Sequence, residues 1–179
     1  MTARARRRAA FGRYLLASAV GNLVWEVVQL PLFDLPPRAG TAFLATIVAL
    51  GEGGDVMIAA GSLGLALVMV GDERWPARRR LAVAAATLAF GLSYTMMSEY
   101  VHVMVLGTWR YAPAMPRLPL LGIGLSPVLQ WIVVPLLALA CIGRGQAGLG
   151  VPASTAARAR AISSGKRGRI SSAPWRRRR

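Results

Sequence analysis

The sequence predicts an all-α, polytopic membrane protein with four transmembrane helices, an outer polar pocket and a disordered basic C-terminal tail. Of its 179 residues, 55% are apolar and only 16% are charged, which is more apolar surface than one small soluble core could bury. Positive charge is concentrated in the N-terminus, one central loop and the C-terminal tail. The apolar stretches between these basic segments are long enough to cross a hydrocarbon core, which takes roughly 20 helical residues.

Four apolar stretches are the predicted spans. They lie at residues 14–33, about 53–70, 81–106, and within 118–142. The first follows a basic N-terminus, residues 1–13. Only Tyr14, Leu15 and Leu16 separate Arg13 from an Ala-x-Ala motif, which is too short for the apolar core of a signal peptide, so we expect an uncleaved first span. The transmembrane domain is therefore expected at residues 14–142 and the tail at 143–179.

The distribution of Lys and Arg predicts the orientation. All but three of the 22 lie in the N-terminus, the loop after the second span and the tail; the exceptions are Arg38, Arg110 and Arg117. Because basic residues favour the cytoplasmic side, we expect both termini in the cytoplasm of a bacterium, with the protein in the inner (plasma) membrane. Loops 34–52 and 107–126 then face outward. The tail is expected to bind anionic lipids, and nucleic acid is not expected as a partner.

Polar residues in the first predicted span share one helical face. Asn22, Glu26 and Gln29 are spaced i, i+4 and i+7, so a helix places all three on the same side. Ionisable groups inside a membrane are costly and are candidates for function. We expect Glu26 to bind or protonate a substrate, or else to fix the bundle through interhelical hydrogen bonds together with Asn22 and Gln29.

The third predicted span carries Glu99 and His102, an i, i+3 pair on adjacent turns, with Ser98 beside them. The pair combines a carboxylate with the chain's single histidine, whose side chain titrates near neutrality. Helical arithmetic puts Glu26 and Glu99 at similar depths, roughly 12 and 15 Å below the outer boundary. We therefore expect Glu26, Glu99 and His102 to be the catalytic group.

The loop before the second span is expected to contribute to the pocket. Gly53 and Gly54 are interpreted as a break, so that residues 41–50 form a short surface helix and the span starts near Asp55. Asp55 then either caps that span or lines the pocket.

The second outer loop is punctuated by Pro and Gly. Ser126 and Pro127 resemble an N-cap and first helical position, which predicts a late start for the fourth helix and irregular backbone over residues 118–125. Trp109 and Tyr111 are expected to be interfacial anchors or pocket wall, and Gln130 is expected to line the pocket.

No cofactor is expected. The single cysteine, Cys141, excludes a disulfide scaffold and any multi-cysteine metal site. Glu-x-x-His is half of the di-iron bundle pattern, and its second half is absent. A metal site would have to use Glu26, Glu99 and His102, with Asp55 as a further carboxylate.

A set of short motifs is distributed over residues 14–140. They are Trp25-Glu26, Gln29 to Leu32, Gly54-Asp55, Ser98 to Tyr100, Trp109-x-Tyr111, Met115-Pro116-x-x-Pro119, Gly122-x-Gly124 to Pro127, and Gln130-Trp131. Together they resemble a group of small four-span bacterial membrane proteins that has no assigned activity. A membrane glutamate followed by a Gly- and Tyr-containing outer loop is also loosely similar to carotenoid hydratases and lycopene cyclases, which implies an isoprenoid substrate.

The leading functional expectation is a protein that handles a lipid or isoprenoid substrate. In this hypothesis Glu26 and Glu99 supply acid/base groups and His102 tunes Glu99. One alternative is a structural or assembly subunit that docks a membrane partner or a second copy through the same polar face. Another is a small proton-coupled transporter, although four spans without an internal repeat are unusual for one.

Overall fold

The structure is a computed structural model, and it describes residues 2–147. Within this range the chain forms four α-helices: α1 (Ala3–Gln29), α2 (Thr41–Met69), α3 (Arg80–Tyr100) and α4 (Leu125–Ala147). Each lies in a helical segment long and apolar enough to cross a membrane, so the prediction of an all-α fold with four helices able to span a membrane is confirmed for the described residues. The tail predicted to be disordered, residues 143–179, lies outside the described residues from position 148 onward.

Helix α1 begins at Ala3 and therefore includes the basic segment that precedes the predicted first span. Thr2 caps it, because the Thr2 hydroxyl accepts a hydrogen bond of 3.2 Å from the amide of Ala5. Ala and Arg, which dominate the first turns, have high helix propensity. A 3₁₀ turn, Leu30–Leu32, follows the helix directly.

Helix α2 is continuous, and this corrects the expectation of a short surface helix followed by a span that starts near Asp55. Two successive glycines cost only about 1 kcal/mol each relative to alanine, so Gly53 and Gly54 do not break a helix that is apolar along most of its length. Asp55 lies in the middle of α2 and does not cap it. Its buried carboxylate instead accepts a hydrogen bond from another helix.

Helix α3 continues into a π-helical segment, Val101–Leu106, so that the third span ends where the sequence predicts. The segment ends at Gly107, whose φ of 62° lies in the left-handed region that favours glycine. The wider π-helical turn changes the direction in which side chains leave the helix after Tyr100.

An irregular segment, residues 107–124, connects α3 to α4. It pairs with the segment after α1 through a bridge between Phe33 and Tyr111, and the amide of Asp34 donates to the carbonyl of Arg110 at 2.9 Å. Helix α4 then begins at Leu125, so the predicted cap residue Ser126 already lies inside the helix.

The four helices alternate in direction, which gives the bundle two distinct ends. We call the end with Glu26, Glu52, Asp55 and Glu99 the carboxylate end, and the end with Arg4, Arg7 and Arg8 the arginine end. The buried core between them includes Tyr14, Leu63, Val83 and Trp131, and many apolar side chains on the outer surface of the helices are exposed. Exposed apolar surface on all four helices is typical of a bundle that lies in lipid.

Candidate functional site

A network of buried side-chain amides connects three helices at the carboxylate end. The Gln130 side-chain amide on α4 donates to Asp55 Oδ2 on α2 at 2.7 Å and to Asn22 Oδ1 on α1 at 3.3 Å. Its carbonyl oxygen accepts from Gln29 Nε2 at 3.3 Å. All four residues are buried. Gln130 therefore satisfies polar groups on two other helices, each of which would cost free energy if buried alone.

A second chain of hydrogen bonds joins α1 to the start of α4. The Trp25 indole Nε1 donates to Ser126 Oγ at 3.1 Å, and Ser126 Oγ donates to Gln29 Oε1 at 3.0 Å. Ser126 therefore acts as a link between helices and not as the predicted cap. Gln29 belongs to both hydrogen-bonded chains, so they form one network.

Three carboxyl groups lie near one another beside this network, and we call Glu26, Glu52 and Asp55 the carboxylate cluster. The carboxyl group of Glu26 faces Gln29, Gln130 and Asp55. It also lies against the backbone of α2, because a Cβ placed at Gly51 would be 3.4 Å from Glu26 Cδ. Glu52 is close enough to Glu26 and Asp55 for their charges to interact. Both Glu52 oxygens are buried and have no hydrogen-bond partner among the described residues.

The carboxylate of Glu99 on α3 bonds to a residue of the irregular segment. The Tyr111 hydroxyl, in the irregular segment, donates a hydrogen bond to Glu99 Oε2. Both side chains are buried, and Glu99 is close enough to Glu26 for their charges to interact. Burial raises the pKa of Tyr111 above its ordinary value of 10, and the hydrogen bond to Glu99 raises it further. The hydroxyl therefore keeps its proton and remains a donor at any physiological pH.

Removal of this donor by Tyr111→Phe is expected to destabilise the protein by about 2 kcal/mol at pH 7, because Glu99 would be left buried without its partner. The Tyr111 hydroxyl stabilises the folded protein fully below pH 10. This stabilisation decreases above pH 10, because tyrosine ionises there in the unfolded chain while Tyr111 in the folded protein does not. Apparent unfolding temperatures in detergent, measured from pH 7 to 11, check this. The control is Tyr100→Phe, which makes the same change at the residue after Glu99, whose side chain is 47% exposed. Equal values for the two variants at pH 7 would contradict the prediction.

Among the described residues, no hydrogen bond or ion pair joins His102 to the Glu99 carboxylate. Its Nδ1 is 3.2 Å from Thr108 Oγ1, and its ring stacks on Trp109 with centroids 4.3 Å apart. The expected i, i+3 pairing of Glu99 with His102 is replaced because His102 lies in the π-helical segment, where the turn is wider. The buried Trp109 indole N–H lies beside the Glu99 carboxylate. Ser98 is half-buried and takes no part in the hydrogen bonds described above.

The residues named for a metal site do not gather into one. Among residues 2–147, no three side chains of His, Cys, Asp or Glu are grouped so that they could hold a metal ion. Glu99 is bonded to Tyr111 and His102 to Thr108, so the Glu-x-x-His pattern does not present two ligands to one point.

An open cleft of about 380 Å³ lies in the loops at the carboxylate end. The residues that line it are Asp34, Leu35, Pro36, Pro37, Gly107, Thr108, Trp109 and Arg110. Of the residues predicted to form a pocket, only Trp109 contributes to this cleft. Asn22, Gln29, Asp55 and Gln130 lie between the helices, and Tyr111 lies in the irregular segment and bonds to Glu99.

Sequence reasoning missed two kinds of residue. Glu52 was placed in an outer loop, although its i, i+3 spacing to Asp55 indicates a shared face once α2 is continuous. The link from Trp25 through Ser126 to Gln29 joins positions about 100 residues apart, and no local pattern predicts it.

Comparison with known proteins gives no relative: no protein-family model, curated protein or solved structure matches this chain. The resemblance to small four-span bacterial proteins therefore depends on the motifs quoted above.

Proposed function

We propose that this protein binds an amphiphilic, lipid- or isoprenoid-type substrate at the carboxylate cluster, in the outer leaflet of a bacterial inner membrane. The observation that carries the proposal is Glu52, whose two buried oxygens accept no hydrogen bond from the described residues. A buried carboxylate without a partner is costly, so a ligand that donates a hydrogen bond would be stabilised there.

The surroundings of the cluster indicate which ligand would reach it. Glu26 and Glu52 are half-buried, and their neighbours Leu23, Val27 and Leu50 are 46%, 55% and 72% exposed. A molecule that reaches Glu26 or Glu52 from the side of the bundle therefore passes apolar surface first. This favours a ligand with an apolar body and a hydroxyl or amine as its polar group, such as an isoprenoid alcohol or a neutral lipid.

Substitution of either half-buried glutamate is expected to remove this ligand. Glu26→Gln and Glu52→Gln keep the side-chain shape but lose the charge, so we expect retention of a co-purified molecule of a few hundred daltons to fall at least about tenfold. Native mass spectrometry of the full chain in mild detergent measures the retained mass. Asp34→Asn, at an exposed carboxylate near the same end, is the control. Unchanged retention in both glutamate variants would remove the proposal, and a stoichiometric protein partner in place of a small molecule would favour the assembly role.

A second candidate function is proton movement, and it is favoured by buried hydroxyls deeper in the bundle. Tyr14 and Ser18 precede Asn22 and Glu26 at i+4 intervals, so all four share one face of α1. The Tyr14 and Ser18 hydroxyls are fully buried and lie beside each other, and neither bonds to another helix within the described residues. Proton flux into liposomes that is lost in Glu26→Gln, in protein that retains no small molecule, would favour this candidate.

A further inference from the structure

We propose that the arginine end holds a binding site for the phosphate headgroup of an anionic phospholipid, separate from the carboxylate cluster. A cavity of about 310 Å³ lies between the first turns of α1 and the last turns of α2. Its lining is half cationic and half apolar and consists of Arg4, Arg7, Arg8, Phe11, Gly64 and Leu67. This size falls within the usual range for small-molecule sites.

The folded N-terminus of α1 creates this arrangement. Because α1 begins at Ala3, Arg4, Arg7 or Arg8, and Phe11 follow one another at helical spacing on the side that meets α2. Guanidinium groups match the geometry of phosphate oxygens, which they bind in a bidentate manner. The positive end of the α1 dipole adds to the attraction for an anion.

The apolar half of the cavity selects a lipid over a free anion. Leu67 and Phe11 form its apolar wall, and Leu65, Val68 and Met69 on the same turns of α2 are exposed apolar side chains. An acyl chain attached to the bound phosphate therefore has continuous apolar surface beside it. Gly64 gives the cavity its depth, because a Cβ at this position would meet nothing within 4 Å.

The length of α1 places the cavity at headgroup level. The span from Ala3 to Leu32 has 30 residues, about 45 Å of helix, whereas a hydrocarbon core is about 30 Å thick. With the apolar part of α1 in the hydrocarbon, the arginines at its start lie among lipid phosphates and Phe11 lies near the hydrocarbon boundary.

Two kinds of variant test the site, one by charge and one by volume. The triple variant Arg4→Gln, Arg7→Gln, Arg8→Gln removes the cations, and Gly64→Leu fills the cavity without a change of charge. The matched controls are Arg13→Gln, which does not line the cavity, and Gly61→Leu, one turn away on the same helix and equally open. The Arg-rich tail is the same in every protein and so cancels from the comparison.

The full chain in mild detergent is titrated with phosphatidylglycerol, with phosphatidylcholine of the same acyl chains, and with inorganic phosphate, and native mass spectrometry counts the molecules retained. We expect tight retention of phosphatidylglycerol by the wild type and both controls, and at least a tenfold loss in the triple variant and in Gly64→Leu. Equal retention of the two lipids, or equal retention by all five proteins, would overturn the proposal. Retention of inorganic phosphate without any preference for the anionic lipid would overturn the assignment to a lipid. If the triple variant fails to fold, Gly64→Leu against Gly61→Leu decides the question.

Discussion

Replacement of Gln130 by methionine is expected to destabilise the bundle by about 3 kcal/mol or more. Methionine is similar in volume and flexible, so the substitution removes hydrogen bonds while the packing changes little. Gln130 is the shared partner of Asn22, Gln29 and Asp55 on two other helices. Each buried group left without a partner costs about 1–3 kcal/mol, and a carboxylate such as Asp55 falls at the upper end.

The measurement is the apparent unfolding temperature in detergent at a fixed heating rate, because membrane proteins often unfold irreversibly. Leu129→Met is the matched control: it introduces the same side chain at the adjacent position of α4, where the residue is 40% exposed. If the two variants unfold at the same temperature, the amide network does not stabilise the bundle.

Gly91→Ala is also expected to destabilise the bundle, by about 1–3 kcal/mol, although alanine favours helices over glycine. A Cβ at this position in α3 would lie 2.7 Å from Trp131 Cε3, well inside van der Waals contact. Trp131 is a rigid ring that is 3% exposed in the core, so the helices must move apart to accept the methyl group.

The control for this prediction is Gly61→Ala in α2, where a Cβ would meet nothing within 4 Å. This variant is expected to unfold at the wild-type temperature or slightly above it, because it gains helix propensity without a clash. Equal behaviour of the two alanine variants would mean that α3 and α4 do not pack as closely as the structure has them.

The sequence predicts part of the candidate site because part of it is local. Asn22, Glu26 and Gln29 share one helical face by their spacing alone, and the structure places them together toward other helices. Gln130 is their partner on α4, more than 100 residues away, and it was identified only as pocket lining. Pairings of this kind depend on how helices pack, which no periodicity within one helix reveals.

Two expectations from the sequence differ from the structure, one because glycine does not break α2 and the other because the chain after α3 is π-helical. The sequence predicts a break at Gly53 and Gly54, which places Glu52 in a loop and makes Asp55 either a cap or a pocket residue. Within an apolar helix the local cost of glycine is small compared with the packing of α2 against α1 and α3. The predicted Glu99 and His102 pair assumed regular α-helix, whereas the chain is π-helical from Val101.

The separation of charge along the bundle has an electrical consequence. Arg4, Arg7 and Arg8 lie at one end, and guanidinium groups carry their charge at all relevant pH values. Inversion of the bundle would carry these three charges through the transmembrane voltage, at about 2.3 kcal/mol per charge for each 100 mV. For these three charges alone, a voltage of 100 mV that is negative on the arginine side favours that orientation by about 7 kcal/mol. A membrane potential therefore opposes inversion of the bundle when the arginine end faces its negative side.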